Sequence, residues 1–244
     1  MVLGCMTYYL PRKFMRDLVV KIFVRIGLYK PIVNVINRFK FIGQARRVRK
    51  LGLENLQEAN AASEEAHVIM FPAFGTLLGA IRDHGFISYD YDLDVGVIPG
   101  VTPEMMHSYM EKHGFILKRQ TYIPEIGDVV TEETYYRKNV GLDVFYYFEQ
   151  GNDWYAYCPR KHEFKDWKVA NVTDGFPVAR SYVPKSEFET IEFLGININV
   201  PQKAHEWLKD IYSESYMTPI KNWDAKDYKT RIIPTSERCY RRYI

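Results

Sequence analysis

The sequence predicts an α+β fold, a mixed sheet flanked by helices, with an N-terminal basic amphipathic helical arm. Three observations carry this. Strand-like and helix-like stretches follow one another without repeats from His67 onward. At 244 residues, 47% hydrophobic and 26% charged, the chain has ordinary globular composition and can bury a core without metal or disulfide staples. The net charge of +3 conceals a split. Residues 1–50 hold twelve Lys/Arg and one acid, Asp17, for +11; the remainder carries −8. The division expected is therefore a basic arm at 1–43 and an acidic body at 44–244.

In the arm, Phe14, Met15, Leu18, Val19, Ile22, Phe23 and Ile26 recur at helical spacing. Arg12, Lys13, Arg16, Lys21 and Arg25 fill the rest of the wheel. After Pro31 the mixture returns, with Val33, Ile36, Phe39 and Ile42 beside Arg38 and Lys40. Such a stripe suits an anionic membrane surface through residues 12–42; packing on the protein's own body is the alternative. No nucleic-acid partner is expected, because the body is acidic and carries no recognition motif. No apolar run reaches the ~18 residues of a membrane span. Cys5, Cys158 and Cys239 form no disulfide framework, which favours a reducing compartment. The expected location is peripheral, on the cytoplasmic face of a membrane.

Gln44–Glu65 is polar, Ala-rich and expected to be helical. His67–Phe74 reads as a strand, Gly75–His84 as a helix stopped by Gly85, and Tyr91–Val97 as an alternating strand. Thr102 and Pro103 open a helix that Gly114 ends. Strands are expected near Phe115–Tyr122, Val129–Arg137 and Gly141–Phe148, followed by a Tyr/Trp-rich region. Phe188–Val200 reads as a hairpin turning at Leu194-Gly195, and Pro201–Tyr212 as a helix. Lys221–Ile244 has little periodicity and reads as a tail.

Chemistry concentrates in Phe71–Val97. Gly75-Thr76 stands where a strand hands over to a helix, a place where backbone amides and a missing Cβ suit phosphate oxygens; a plain helix cap has the same appearance. Asp90, Asp92 and Asp94 alternate, so an extended strand sends them to one face and Leu93, Val95 and Val97 to the core. Carboxylates this close repel, and a divalent cation such as Mg²⁺ is the usual reason to gather them. A solvated acidic turn is the alternative. Asp143 lies in the apolar run LDVFYYF, where a lone ionised carboxylate is costly unless paired. Beside Tyr91–Val97 it completes a set with Asp92 and Asp94; otherwise it pairs with Arg137 or Lys138.

A strand–Gly-Thr–helix unit, an alternating Asp set and a later Asp on a strand resemble the nucleotidyltransferase fold. More narrowly, GTLLGAIRDHGFISYDYDLDVGV resembles the signature of the LicD/fukutin family of phosphotransferases, with Tyr89 and Tyr91 standing where that family has other residues. Asp143 matches the family's later hydrophobic-Asp-hydrophobic-Phe element. The resemblance implies a metal-dependent phosphotransferase using Mg²⁺ or Mn²⁺. It would move a substituted phosphate, phosphocholine or polyol phosphate, from a CDP-linked donor to a sugar hydroxyl of a surface polysaccharide, glycolipid or glycan. By the same resemblance Asp92 and Asp94 hold the metal, and Asp143 completes the site or acts as general base. Asp90 is an auxiliary ligand, Gly75 and Thr76 cradle phosphate, and Arg82 neutralises phosphate charge. Two other readings fit parts of the pattern: a nucleotide-sugar glycosyltransferase using the Asp-x-Asp, and an inactive membrane-docking scaffold. His84 and His205, on expected helices, read as surface or core residues, and Trp154, Tyr155, Tyr157 and Trp207 as an aromatic core.

Overall fold

A computed structural model describes residues 29–160, 170–171, 173–219 and 231–244, with side chains from residue 41. The amphipathic stretch Phe14–Ile26, Cys5 and residues 221–230 of the expected tail lie outside the described residues. The chain divides into two compact units, Met1–Gly43 and Gln44–Ile244. Helix α1 runs Tyr29–Glu65. Within the second unit its Ala45, Val48, Leu56, Ala59 and Ala62 are buried, the three-and-four spacing of a helix with one apolar face. No helix among the described residues is long and apolar enough to cross a membrane.

The remaining elements are β1 (Met70–Pro72), α2 (Phe74–Leu78), β2 (Leu93–Val97), α3 (Pro103–Lys112), β3 (Ile116–Ile123), β4 (Val129–Arg137), β5 (Val140–Gln150) and β6 (Asp153–Pro159). They continue with β7 (Phe176–Pro184), β8 (Phe188–Phe193), β9 (Ile196–Pro201), α4 (Ala204–Tyr212) and β10 (Ile232–Tyr243). Eight strands form a mixed sheet in the order β1-β2-β5-β4-β3-β10-β7-β6, and β6 pairs again with β5. The pairing therefore runs in a ring from β5 through β4, β3, β10, β7 and β6 back to the far end of β5. Only β2 and β5 pair in parallel among the described strands.

The two faces of β2 and β5 divide by chemistry. Leu93, Val95, Leu142 and Val144 are buried on one face, and Asp94 and Asp143 lie on the other. Helix α3 covers the first face, with His107 bonded to Glu133 of β4 and edge-on to Tyr135. Phe74 of α2 meets Phe145 edge-on at 4.7 Å on the Asp143 face. Helix α4 buries Ala204, Trp207, Leu208 and Ile211, an i, i+3, i+4, i+7 set. The β8–β9 hairpin turns at Leu194 and Gly195, both at positive φ, as a two-residue hairpin turn requires.

Several expectations are corrected. The segment read as a featureless tail contains a twelve-residue strand, β10, between β3 and β7. Pro234 and a register shift between Pro234 and Arg238 break its alternation, which hides the strand in the sequence. The aromatic region holds β6, and β7 follows it unanticipated. The expected strand Tyr91–Val97 begins only at Leu93; Asp90 closes a turn onto Ile87 and Asp92 lies in a bend. The helix after Gly75 is α-helical only to Leu78 and widens into a π turn over Gly79–Asp83. His84, at φ +50°, takes the left-handed terminating position expected of Gly85. Pro201 ends β9 rather than starting the last helix.

Candidate functional site

Asp94 is the centre of the acidic face. The Gly75 amide donates to its Oδ2 at 3.2 Å, and its own amide donates to Thr76 Oγ1 at 2.8 Å. Its carbonyl accepts from the Ala73 amide at 2.9 Å. The strand-to-helix turn thus grips Asp94 at three points. Phe74 accepts φ +39° at this turn, an uncommon conformation for a large side chain, while its ring is held against Phe145. Gly75 and Thr76, expected to cradle phosphate, are both engaged with Asp94.

Gly75 is required for a further reason. A Cβ there would lie 2.4 Å from Asp90 Oδ2 and 3.4 Å from Asp94 Oδ2. The missing side chain is the space into which Asp90 folds. Gly75→Ala is expected to displace Asp90 and lower turnover about 100-fold, the scale for misplacing catalytic geometry by about 1 Å. Circular dichroism should remain native, so unchanged turnover would dismiss this packing.

Asp143 sits opposite Asp94 in the parallel register, on strands about 4.8 Å apart. Thr134 donates to its Oδ1, and Arg119 Nη2 lies 3.6 Å away. The partners suggested by sequence go elsewhere: Arg137 and Lys138 pair with Glu54, and Arg137 also with Glu58, all on α1. Arg82 is likewise placed apart from the acids. It pairs with Asp83 at 2.7 Å and donates to the Tyr216 carbonyl at 3.3 Å.

Burial comes first among the causes that raise all four carboxyls. Asp90 and Asp143 are each pushed up to about 6, and Asp92 and Asp94 lie well above the ordinary range. Repulsion adds to burial: Asp143 and Asp90 raise Asp92, Asp92 and Asp90 raise Asp94, and Glu132 raises Asp143. Among the described residues the only ion pair to these four acids is the Arg119–Asp143 contact. No three ligating groups among the described residues close around a cation as they lie. The donor chemistry does fit a hard divalent cation: oxygen-only, dense in negative charge and short of positive partners.

Each carboxyl has a folded pKa above its unfolded value, so the folded chain holds more protons than the unfolded chain between the two. Stability in cation-free buffer should therefore fall as pH rises from about 4 to about 6. Mn²⁺ should raise the melting temperature more at pH 7 than at pH 5. A cation-free melting temperature that is flat or rising over that interval would refute the assignment.

The structure also adds Thr134, Arg119 and Glu132, which sequence reading passed over. Across the sheet, Asp94, Asp143, Thr134, Arg119 and Tyr243 occupy one row of paired positions on β2, β5, β4, β3 and β10. The neighbouring row holds Gly96, Phe145, Glu132, Thr121 and Arg241. Glu132 is buried and pairs with Arg119 at 2.7 Å and Arg241 at 3.9 Å. Its neighbour Glu133 faces the other way and is satisfied by Gln120, Tyr135, Tyr146 and His107, which makes it structural. The one available signal in the sequence was period-two alternation on β4. His84 and His205 line a separate cavity of about 270 Å³ with Ile191, Glu192 and Phe193.

Comparison with known proteins follows the same segment. A family described as LicD/FKTN/FKRP, nucleotidyltransferase domain, matches residues 67–203. Among curated proteins, the mouse (Mus musculus) ribitol-5-phosphate transferase FKTN is 26% identical over 187 residues, covering 76% of this chain and 37% of that protein. The human protein of that name is 24% identical over 192 residues, covering 78% and 38%, and the Macaca fascicularis protein is 23% identical over the same length and shares. The chain spans little more than a third of the length of these relatives.

Proposed function

The chain belongs to the LicD/FKTN/FKRP nucleotidyltransferase-domain family, and from that premise we propose that it transfers a substituted phosphate from a CDP-linked donor to a sugar hydroxyl. The observation that carries the reading is the register of Asp94 with Asp143, beside Asp90 and Asp92, within the family-matched segment. The relatives are named for ribitol-5-phosphate transfer, so a polyol phosphate ranks first and phosphocholine second. The acceptor is a surface polysaccharide, glycolipid or glycan.

Asp90, Asp92 and Asp94, with Asp143, would hold Mg²⁺ or Mn²⁺. The cation supplies charge neutralisation on the donor diphosphate. The chain's own residues do the rest. Gly75 holds the Asp94 carboxylate and Thr76 its backbone amide, and Asp90 fills the space beside Gly75. Thr134 and Arg119 orient Asp143, whose carboxylate takes the proton from the attacking sugar hydroxyl. A new bond forms between that oxygen and the transferred phosphorus, the bond from phosphorus to the cytidylate breaks, and CMP leaves. Positioning and charge account for most of the acceleration in such a transfer. The basic arm at 1–43 would attach the enzyme peripherally to an anionic membrane surface, on its cytoplasmic face.

The test is CMP release from CDP-ribitol, CDP-glycerol and CDP-choline with a glycan acceptor and Mg²⁺ or Mn²⁺. Hydrolysis of UDP-sugars with no consumption of any CDP-linked compound would replace this reading with the glycosyltransferase.

A further inference from the structure

Helix α1 treats its charges in two ways. Toward its C-terminal end, Glu54 meets Arg137 and Lys138, Glu58 meets Arg137 and His113, and Glu65 meets Lys112 and His113. An earlier turn carries Arg46, Arg47, Arg49 and Lys50, all exposed and with no ion pair among the described residues. Ala45 and Val48 turn into the core, which leaves Arg46, Arg47 and Lys50 on the outer face of the helix. Three- and four-residue spacings crowd these like charges together, which opposes the helix that carries them. Arg49, on the flank, donates to the Ser88 carbonyl. One turn on, the Phe86 ring lies 3.2 Å from where a Cβ of Gly52 would stand. The basic turn is thereby fixed beside the loop that leads into Asp90. That loop presents Tyr89, 60% exposed.

We propose that Arg46, Arg47 and Lys50, with Tyr89 at their edge, form a docking face for an anionic bilayer. The inference goes beyond the phosphotransferase reading and stands without it. It concerns the second compact unit, apart from the arm at 1–43. Charge complementarity selects the partner. The outer face of a helix is convex and encloses no small anion, whereas lipid headgroups form a plane of negative charge that several bases meet at once. Tyrosine suits the boundary, with its ring toward lipid and its hydroxyl toward water. Because Arg49 and Gly52 join the loop to the helix, docking sets the Asp90 loop at the lipid boundary.

The experiment is co-sedimentation of the full chain with vesicles of phosphatidylcholine alone and of phosphatidylcholine and phosphatidylserine in equal parts. The wild-type protein should bind the mixed vesicles and leave the neutral ones. Combined Arg46→Gln, Arg47→Gln and Lys50→Gln should weaken binding about 100-fold, the scale of three bases at an anionic surface. Circular dichroism checks that the helix is intact. Tyr89→Trp should gain quenching by brominated phosphatidylcholine in the mixed vesicles, over the signal of the wild-type tryptophans. An arm that holds the membrane alone would leave the triple variant at wild-type affinity and the new indole unquenched, and either result overturns the proposal. Equal binding to both vesicles, or binding to neither, overturns it too. Heparin binding that depends on the same three bases, with vesicles ignored, would give the face to an acidic glycan instead. Should the triple variant lose its fold, the quenching decides alone.

Discussion

Asp94→Asn should abolish phosphate transfer while leaving the protein at least as stable as before. The substitution keeps the shape, and the amide oxygen still accepts from the Gly75 amide. What it removes is the charge at the centre of the acidic row. Losing one such group at a reacting phosphate lowers the rate by about 1,000-fold. The stability effect runs the other way. Asp94 is held well above the ordinary carboxylate range, by burial first and by Asp92, Asp90 and Asp143 after it. At pH 7 its ionised form opposes folding in cation-free buffer, and asparagine relieves that opposition. CMP release and a melting curve at pH 7 check both halves. Full activity, or a melting temperature well below wild type, would contradict the account.

Trp207→Ala should give the largest loss of stability. Trp207 is fully buried and packs against Phe71 at 5.4 Å, Tyr147 at 5.7 Å and Trp154 at 6.2 Å between ring centres. Its Nε1 donates to the Pro184 carbonyl at 2.8 Å. Truncation leaves a cavity where four aromatic rings met and strands a carbonyl. Together these cost about 3–5 kcal/mol, which corresponds to a drop of about 10 °C for a domain of this size. Trp207→Phe should recover part of the loss. A melting temperature within about 2 °C of wild type for Trp207→Ala would show that this aromatic cluster is not a stabilising core.

What the sequence disclosed follows from how far each signal reaches along the chain. Strands β3, β4 and β5 and the β8–β9 hairpin were legible because their alternation and turn residues are local. The Asp94–Asp143 pair was legible because both lie in strands with apolar neighbours, where a carboxylate stands out. The bent course of Asp90 was not, since it depends on the absence of a Cβ at Gly75, fifteen positions earlier. Arg119 was illegible for a different reason. It looks like a solvated base in an alternating stretch, and only the pairing of β3 with β4 turns it toward Glu132. Arg82 shows the converse. A base close to the motif in sequence is directed to Asp83 and the Tyr216 carbonyl, away from the acids.

The place of β10 has a consequence for how the protein is made. Of the ten described strands it leaves the ribosome after the other nine, yet it belongs between β3 and β7, whose residues emerge long before it. Until then β3 and β7 each present an unpaired edge, the kind of surface that invites wrong partners. Contacts this distant in sequence also slow folding. The nascent chain therefore keeps these two edges open until β10 emerges to seal the sheet between them.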